Sequence, residues 1–561
     1  MDKRDNVSLN YCPLIVWMLL YALYLQRFWD FGVHNVINAM LSDSLFCKLR
    51  TTGRENGGHD FYASQMAAEI DDKCNGQLMD PNNSVYDLGL DFCQVFAFKT
   101  HSSGLLLMRS TDIPVAQRSK RRFTYILAVI PGHSEPKSMD VYLSPTLEAF
   151  KCYGPNGEGL NIEDCTGNKF NHKIFLSGIY ADTPANRKLS LWNSHASGTG
   201  CGHCLLKGHS KDSGGMFFPG HASPVEVNTV FNDVNPAALS PITAALSHIP
   251  VSAQCGDPLI KVSHNMHVMR VLLAEVQPDK APVLGCKGLS PVIRELDYCD
   301  YNNVFVVPIC HASLLGVTKR FWSLCLGQLG RYTKDFSIRG AQRNIMMQRA
   351  GHLIMTNDLN RPYRDIVAKR GTWTMEDWLR WVDCYSIYIL HDSGTSSANS
   401  LLPTVIREVN GTPVEFNLGT MWFQFRTALL HYLRYDPTDF SEDANDRAAK
   451  ELASFSSAAE HVFGLEFCTY NLHLLGCRLR DQERARGHVS FAMEFWVERG
   501  MQSMKSDVKY RSPVAPEVTF VGTYLTKLTL AHLKAEYTEQ LKSFDEWIPK
   551  YRADNVRLDA S

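Results

Sequence analysis

A single CxxC motif, Cys201-Gly-His-Cys204, limits the possible folds of this chain more than any other part of its sequence. Two thiolates at this spacing can bind one Zn²⁺ ion in tetrahedral geometry, but a structural site needs two more ligands. His473 and Cys477 are candidates, because residues four apart share one face of a helix. A site closed by these four residues would tie the long intervening segment to the core. Two unconnected buried thiols, or a redox pair, are the alternative interpretations.

The composition is typical of a globular, intracellular protein. The chain has 561 residues, 45% hydrophobic and 20% charged, which predicts two or three packed units and excludes a largely disordered or collagen-like chain. Its 57 Lys and Arg residues against 58 Asp and Glu residues give a net charge of −1, so any nucleic-acid surface must be local. The 16 cysteines are too few for a disulfide scaffold, and we expect them to be reduced.

An apolar run near the start, residues 12–25, contains no charged side chain. A signal peptide would look similar, but no small-residue cleavage site follows the run. The run is also shorter than the roughly 20 residues that a membrane-spanning helix needs. We therefore predict a buried helix and no membrane association, with a membrane anchor as the rival hypothesis.

Short apolar runs bounded by Gly, Pro and Ser predict a sheet in the first half of the chain. Three successive strands are predicted at residues 86–98, 105–108 and 123–130. A helix is then expected to open at Ser144-Pro145, with the proline at its first position. A further strand, residues 173–181, stops at Asp182. This order predicts an α+β or mixed α/β fold.

Elsewhere the apolar residues recur at intervals of three and four, which predicts helices. The longest such patterns are at residues 304–329, 373–390, 458–505 and 525–551. Residues 13–50 also predict helix, with Gly32 as a possible break, and a short strand-like run is expected just before the last helix.

Asp91 and Asp182 are candidates for metal-binding carboxylates, because each follows or closes a predicted strand. Two such carboxylates and a later glutamate can hold two divalent ions about 3.5–4 Å apart for phosphoryl transfer. Mg²⁺ suits such a site, since it prefers a few carboxylates together with waters and phosphate oxygens. A turn-forming role for an aspartate at a strand end is the alternative.

Two local basic clusters are candidates for contacts with DNA phosphates, which hold DNA without reading its sequence. The first is residues 118–122, and the second comprises Arg478, Arg480, Arg484 and Arg486. A solvated charged face is an equally good interpretation of either cluster.

Five sequence blocks, spread over about residues 80–510, are similar in content and order to those of one known family. The most specific block runs from Asp182-Thr-Pro-Ala185 to the CxxC motif. The others are Leu88 to Phe96, Ile130 to Gly132 with Tyr142 to Pro145, His311 to Gly316 with Phe321-Trp322, and Tyr470 to His473 with Phe495 to Arg499 and Lys505. Together they resemble Tnp2-like transposases of the CACTA (En/Spm) type.

The resemblance implies an α/β, RNase H-like catalytic core interrupted by a large, mainly helical insertion. It implies a DDE triad of Asp91, Asp182 and Glu498 that holds two Mg²⁺ or Mn²⁺ ions, and His311 is a further candidate catalytic residue. Such transposases are implied to hydrolyse DNA at the element ends and to join the 3′-hydroxyl to target DNA. Double-stranded DNA as partner, a homo-oligomer on DNA and a nuclear location follow from the same resemblance.

The related V(D)J recombinase core has the same order of second aspartate, CxxC, paired zinc ligands and catalytic glutamate. This similarity supports a structural Zn²⁺ ion on Cys201, Cys204, His473 and Cys477. The implied organisation is an N-terminal helical region (1–80), a first part of the core (81–204), the helical insertion (205–465), a second part of the core (466–515) and a C-terminal helical tail (516–561).

Three positions depart from the family pattern. Cys477 stands where the family has a second histidine, and it can still bind zinc as a thiolate. Pro308 stands where the family has an acid, and proline cannot coordinate a metal or orient a base. Glu494 competes with Glu498 because the two lie four residues apart on one helical face, but Arg499 aligns the block with Glu498. A catalytically inactive or domesticated derivative that binds DNA or protein is the alternative function.

Overall fold

A computed structural model of the chain describes residues 28–55, 60–96, 101–132, 134–211, 215–228, 249–327, 335–353, 363–390, 401–438, 440–508 and 516–545. The helix predicted at residues 12–25 lies outside these ranges. The chain divides into two units. The first comprises Met1–Asn56, Asp80–Leu176 and Phe495–Ser561, and the second comprises Gly57–Met79 and Ser177–Glu494. Both units are therefore discontinuous in sequence.

The first unit is built on a five-stranded sheet. Its strands are β1 (Trp29–Asp30), β2 (Ser84–Gln94), β3 (Ser102–Ser110), β4 (Tyr125–Ile130) and β7 (Ile174–Ala181), and β5 (Leu160–Glu163) and β6 (Lys169–His172) form a separate hairpin. The order across the sheet is β1-β4-β3-β2-β7. The pairs β1–β4, β4–β3 and β3–β2 are antiparallel. β7 starts beside the start of β2, where the Ser84 N–H donates to the Lys173 carbonyl at 3.0 Å. The two strands are therefore parallel, and the predicted mixed α/β class is confirmed.

The central strands are buried on both faces, because every residue of β3 and β4 is buried. Such strands read as continuous apolar runs rather than as alternating patterns. The helices of this unit are Val33–Leu41, Ser44–Glu55, Val115–Arg118, Asp140–Cys152, Phe495–Val508 and Pro516–Asp545. Val33–Leu41 packs against β4, and Phe495–Val508 packs against β2 and β3.

Three predictions for this unit were wrong in detail. Trp29 and Asp30 pair with Val129 and Ala128 as a strand, and the helix starts after Gly32, whose φ of 74° breaks it. The helix expected to open at Pro145 begins at Asp140, a carboxylate that the N-terminal end of the helix dipole stabilises. The strand-like run before the last helix is helical, since Pro516 begins that helix itself.

The second unit is mainly helical. Its α-helices are Gln65–Lys73, Thr183–Ser190, His264–Val276, Ala281–Leu284, Pro291–Glu295, Tyr301–Val304, Lys319–Cys325, Gly340–Gly351, Ile366–Lys369, Met375–Arg380, Ser386–Leu390, Leu418–Leu433, Glu442–Phe463 and Tyr470–Arg486, and Cys310–Thr318 and Trp381–Tyr385 are π-helical. Its short strands are His209–Ser210 with Met216–Phe217, Val225–Glu226 with Ser252–Ala253, and Thr404–Val409 with Thr412–Asn417. Asn410 and Gly411 turn the last hairpin with φ of 51° and 77°, as a tight two-residue turn requires.

The helical region predicted at residues 458–505 is divided into separate helices. Gly464 and Gly487 end two of them with φ of 74° and 84°, a conformation that glycine adopts without steric cost. The tryptophan-rich pattern at residues 373–390 does form core helix. Trp322 lies edge-on to Trp381 and Trp422, with ring centroids 4.9 and 5.1 Å apart, and all three rings are buried. Within the described residues, no helix combines the length and hydropathy needed to cross a membrane.

Candidate functional site

The structure brings the four predicted metal ligands together inside the second unit. One ligand atom from each of Cys201, Cys204, His473 and Cys477 lies within 4.8 Å of the others, and all four residues are buried. His473 and Cys477 lie one turn apart on the ligand helix (Tyr470–Arg486), whose first turn is capped by Thr469. Three sulfurs and one imidazole nitrogen in a buried cluster match the donor set of tetrahedral zinc sites. The cluster could therefore bind a metal ion such as zinc.

The loop that carries the two CxxC cysteines is held by its backbone and by its glycines. The Leu205 N–H donates to the Ile260 carbonyl at 3.0 Å, which anchors the loop just beyond Cys204. A Cβ atom at Gly200 would lie 2.9 Å from two carbonyl oxygens, and one at Gly202 would lie 3.0 Å from Trp192 Nε1. A side chain at position 200 would therefore strike the backbone, and one at position 202 would press against the Trp192 ring, which favours glycine on either side of Cys201.

The surroundings of the cluster favour a thiolate. Burial raises the pKa of the Cys201 thiol, but hydrogen bonds with Cys204 and Cys477 and the charge of Arg187 outweigh it, so that pKa lies well below its usual range. Burial and the neighbouring thiols raise the pKa of Cys204 instead. Lys261 Nζ lies 3.7 Å from Cys477 Sγ, where it partly balances a negative cluster.

A fourth sulfur, that of Cys255, which no sequence motif marks, contacts the histidine of the cluster. His473 Nε2 lies 3.3 Å from Cys204 Sγ, and its other ring nitrogen, Nδ1, lies 3.4 Å from Cys255 Sγ. The Cys255 thiol also donates to the His473 carbonyl at 3.7 Å. A ring proton on Nδ1 would therefore face Cys255 and leave Nε2 as the ligand atom. Cys255 belongs to no motif, and only the fold brings it here.

Two of the three predicted triad carboxylates share a neighbourhood in the first unit. Asp91 lies in β2, and Glu498 lies on the helix Phe495–Val508 that packs on this strand. The contact is close at Gly89, where a Cβ atom would lie 2.6 Å from the ring of Trp496. Burial raises the pKa of the Cys93 thiol to about 12, Lys505 opposes the rise, and the charges of Asp91 and Glu498 add to it.

Asp182 follows β7 and belongs to the second unit. Its Oδ1 accepts the Ala185 N–H at 2.8 Å and so caps the helix Thr183–Ser190. This bond is the turn-forming role that was the alternative for a strand-end aspartate. The convergence of Asp182 with Asp91 and Glu498 stays a prediction.

His311 has a carboxylate partner that the sequence argument did not assign to it. Glu494 Oε1 accepts the His311 backbone N–H at 2.8 Å and lies 3.0 Å from His311 Nδ1. Glu494 is 2% exposed, and its Oε2 has no hydrogen-bond partner among the described residues. Glu494, which the sequence had offered only as a competitor of Glu498, is thus the carboxylate partner of His311.

Three arginines of the two basic clusters, Arg118, Arg478 and Arg486, are buried and form contacts inside the fold. Arg118 donates to the carbonyls of Ile113 and Thr111 at 2.8 and 2.6 Å, and Arg486 donates to the Ser177 carbonyl at 2.6 Å. Arg478 bonds Asn302 and Asn303, Arg480 and Arg484 pair with Asp446, and Arg122 pairs with Asp43. The three buried arginines therefore have a structural role, whereas Arg122, Arg480 and Arg484 form surface ion pairs with 48%, 43% and 34% of their side chains exposed.

Comparison with known proteins adds no assignment, since neither a family model nor a curated protein matches the chain.

Proposed function

We propose that this chain is a DNA transposase that cuts and joins DNA strands with a DDE triad of Asp91, Asp182 and Glu498. The packing of the Glu498 helix on the strand that bears Asp91 is the observation that carries the proposal. The places of the two aspartates in their own strands support it, because Asp91 lies toward the end of β2 and Asp182 directly follows β7. Double-stranded DNA as partner, a homo-oligomer on DNA and a nuclear location belong to the same proposal.

In this proposal the three carboxylates hold two Mg²⁺ or Mn²⁺ ions, which would supply an activated hydroxyl nucleophile and neutralise the leaving oxygen. His311 is held by Glu494 through its backbone N–H and through Nδ1, so its ring keeps one orientation. A histidine oriented by a buried carboxylate can accept or return a proton near neutral pH. His311 is partly exposed, with 25% of its side chain open to solvent, as such a role needs.

A structural Zn²⁺ ion on Cys201, Cys204, His473 and Cys477 is the second part of the proposal. The four side chains come from two segments that are 269 residues apart at Cys204 and His473. When bound, the ion would cross-link the CxxC loop and the ligand helix without taking part in the reaction. Elemental analysis of the purified chain should find zinc, and Cys204→Ser should hold one zinc ion fewer than the wild type. A folded wild-type chain that holds no zinc would contradict this part.

The test of the triad is Mn²⁺-dependent nicking and strand transfer on supercoiled plasmid by the full, zinc-loaded chain. We expect Asp91→Asn, Asp182→Asn and Glu498→Gln each to abolish both reactions. Glu163→Gln is the matched control, because Glu163 is exposed and forms only a surface pair with Lys169. Activity that survives Asp182→Asn would refute the triad.

An inactive or domesticated derivative that binds DNA or protein is the second candidate function. Two observations favour it: three arginines of the basic clusters are buried in internal contacts, and Pro308 replaces an acid of the family pattern. A folded, zinc-loaded chain that fails to nick any plasmid but shifts short DNA duplexes at low salt would support it. Salt-dependent binding is the expected signature of phosphate contacts.

A further inference from the structure

Three side chains outside the sites described above converge in the second unit. His431 lies near the end of the helix Leu418–Leu433, Glu483 lies on the ligand helix, and His488 lies just beyond that helix. One ligand atom from each lies within 4.8 Å of the other two. Glu483 and His488 are buried, and 12% of the His431 side chain is exposed. None of the three belongs to the candidate cluster of cysteines or to the carboxylate triad.

The carboxylate at the centre is held from two sides. Glu483 Oε1 lies 2.6 Å from His431 Nε2, and Oε2 accepts the Val489 N–H at 3.2 Å. A carboxylate this deeply buried needs a cationic partner, since burying an isolated charge is costly. A protonated His431 supplies one such partner, and a metal ion bound between the three side chains would supply a stronger one.

His488 is oriented by its neighbours. Its Nδ1 lies 2.8 Å from Ser490 Oγ, a hydroxyl that can accept an Nδ1 proton and leave Nε2 for an ion. The rings of Tyr435, Phe440 and Phe491 surround the imidazole, with centroids 5.3, 5.4 and 5.6 Å away. The Ser490 N–H also donates to Nδ1 at 3.1 Å. Binding of an ion through Nε2 places the ring proton on Nδ1, so this longer bond must break while Nδ1 donates to the Ser490 hydroxyl.

We propose that His431, Glu483 and His488 form a second metal site, which takes one divalent transition metal, preferentially Zn²⁺. Two imidazoles and one carboxylate are a three-ligand set that leaves a position open for water. Imidazole ligands select zinc and its neighbours over Mg²⁺, which prefers oxygen ligands. The ion takes the place of the proton between His431 Nε2 and Glu483 Oε1, and that proton is released to solvent. This site does not depend on the proposed transposase function.

An ion at this second site would link two helices of the second unit. Glu483 lies six residues after Cys477 on the ligand helix, or about 9 Å along the axis at 1.5 Å per residue. One helix would therefore carry ligands of two ions, and the second ion would fasten its end to the helix Leu418–Leu433. Glu494, the partner of His311, follows that end by a short 3₁₀ turn, Val489–Ala492.

The experiment counts zinc and identifies its ligands in the full-length chain. The protein is loaded with zinc, dialysed against metal-free buffer and analysed by inductively coupled plasma mass spectrometry. We expect two zinc ions per wild-type chain, and one in His431→Gln, in Glu483→Gln and in Cys204→Ser. His461→Gln is the matched control and should keep two, because His461 stacks on Phe416 away from both sites. Circular dichroism verifies that each variant is folded.

Cobalt substitution separates this proposal from the zinc cluster of the proposed function. A thiolate site gives sulfur-to-cobalt charge-transfer bands in the near ultraviolet, and a site of two histidines and a glutamate gives none. His431→Gln should keep these bands, and Cys204→Ser should lose them while retaining one cobalt. One ion per wild-type chain with full thiolate bands, or two ions in both His431→Gln and Glu483→Gln, would overturn the second site. One ion without thiolate bands would instead overturn the cysteine cluster.

Discussion

Replacing Gly89 by alanine tests whether the Glu498 helix is seated directly on the strand that carries Asp91. A Cβ atom at this position would lie 2.6 Å from Trp496 Cη2 and 2.8 Å from Val497 Cγ2. Ordinary van der Waals contact begins at 3.4 Å, so the helix or the strand must shift by about 0.8 Å. Trp496 cannot turn away easily, because it is 1% exposed and Arg109 lies over its ring at 4.5 Å.

We expect Gly89→Ala to lower the free energy of unfolding by about 1–3 kcal/mol, the usual cost of overpacking a core. The assay is urea denaturation followed by far-ultraviolet circular dichroism. Gly522→Ala is the matched control, since no atom lies within 4 Å of a Cβ there and alanine favours a helix by up to about 1 kcal/mol. If the proposed triad is correct, the same shift should reduce strand transfer by on the order of 100-fold, because misplacing reacting groups by about 1 Å is that costly.

A double-mutant cycle tests whether the Trp496 ring is the obstacle to alanine at position 89. Trp496→Leu removes the ring atoms that Gly89→Ala would strike, so alanine at position 89 should cost less in that background. Equal costs in the two backgrounds would mean that the ring is not the obstacle. A stabilising Gly89→Ala would show that the helix does not rest on this strand.

Two further predictions concern groups around the sheet and the metal cluster. Burial lowers the pKa of His172 to about 4, so the folded protein keeps this histidine neutral below the usual value of 6.5. The stability that depends on the neutral form is complete above pH 6.5 and is lost as the pH falls toward 4, by about 2 kcal/mol between pH 7 and pH 5. Urea denaturation of the wild type and of His172→Gln at these two pH values measures the loss of stability. The loss should be smaller by about 2 kcal/mol in His172→Gln, and an equal loss in both proteins would contradict the assignment. Cys255→Ala should weaken zinc binding about tenfold in competition with a chelating dye, because the partner of a ligating histidine fixes its tautomer. Cys255→Ser should restore part of the affinity, and Cys325→Ala, a buried cysteine with no contact to the cluster, should leave it unchanged; equal affinities in all three would exclude a role for Cys255.

Local sequence patterns predicted the elements that depend on neighbouring residues. The apolar runs at residues 105–108 and 123–130 became the central part of β3 and β4, because strands buried on both faces favour continuous apolar runs. The wrong predictions had two causes, an ambiguous local signal and a pairing between distant residues. Pro145 could begin a helix or lie inside one, and Trp29 pairs with a strand that lies about 100 residues further along the chain.

The candidate sites also contain residues that a local pattern marks and residues that only the fold brings together. Residue types and short spacings made Cys201, Cys204, His473 and Cys477 candidates, since 3.6 residues per helical turn put residues four apart on one face. The same reasoning could not reveal Cys255 beside His473, or Glu494 beside His311, because each pair joins segments 218 and 183 residues apart. No periodicity links residues at such separations, and no motif marks them.

From its sequence alone, then, this chain could be read as mixed α/β with a buried pair of thiols, a paired His and Cys, and carboxylates that follow strands. Only the tertiary structure decided which distant side chains meet: the CxxC loop with the ligand helix, Glu494 with His311, and His431 with Glu483 and His488. The reason is physical. Helix and strand periodicity arises from backbone geometry within a few residues, whereas contacts between distant segments depend on how whole helices and strands pack together to bury their apolar faces.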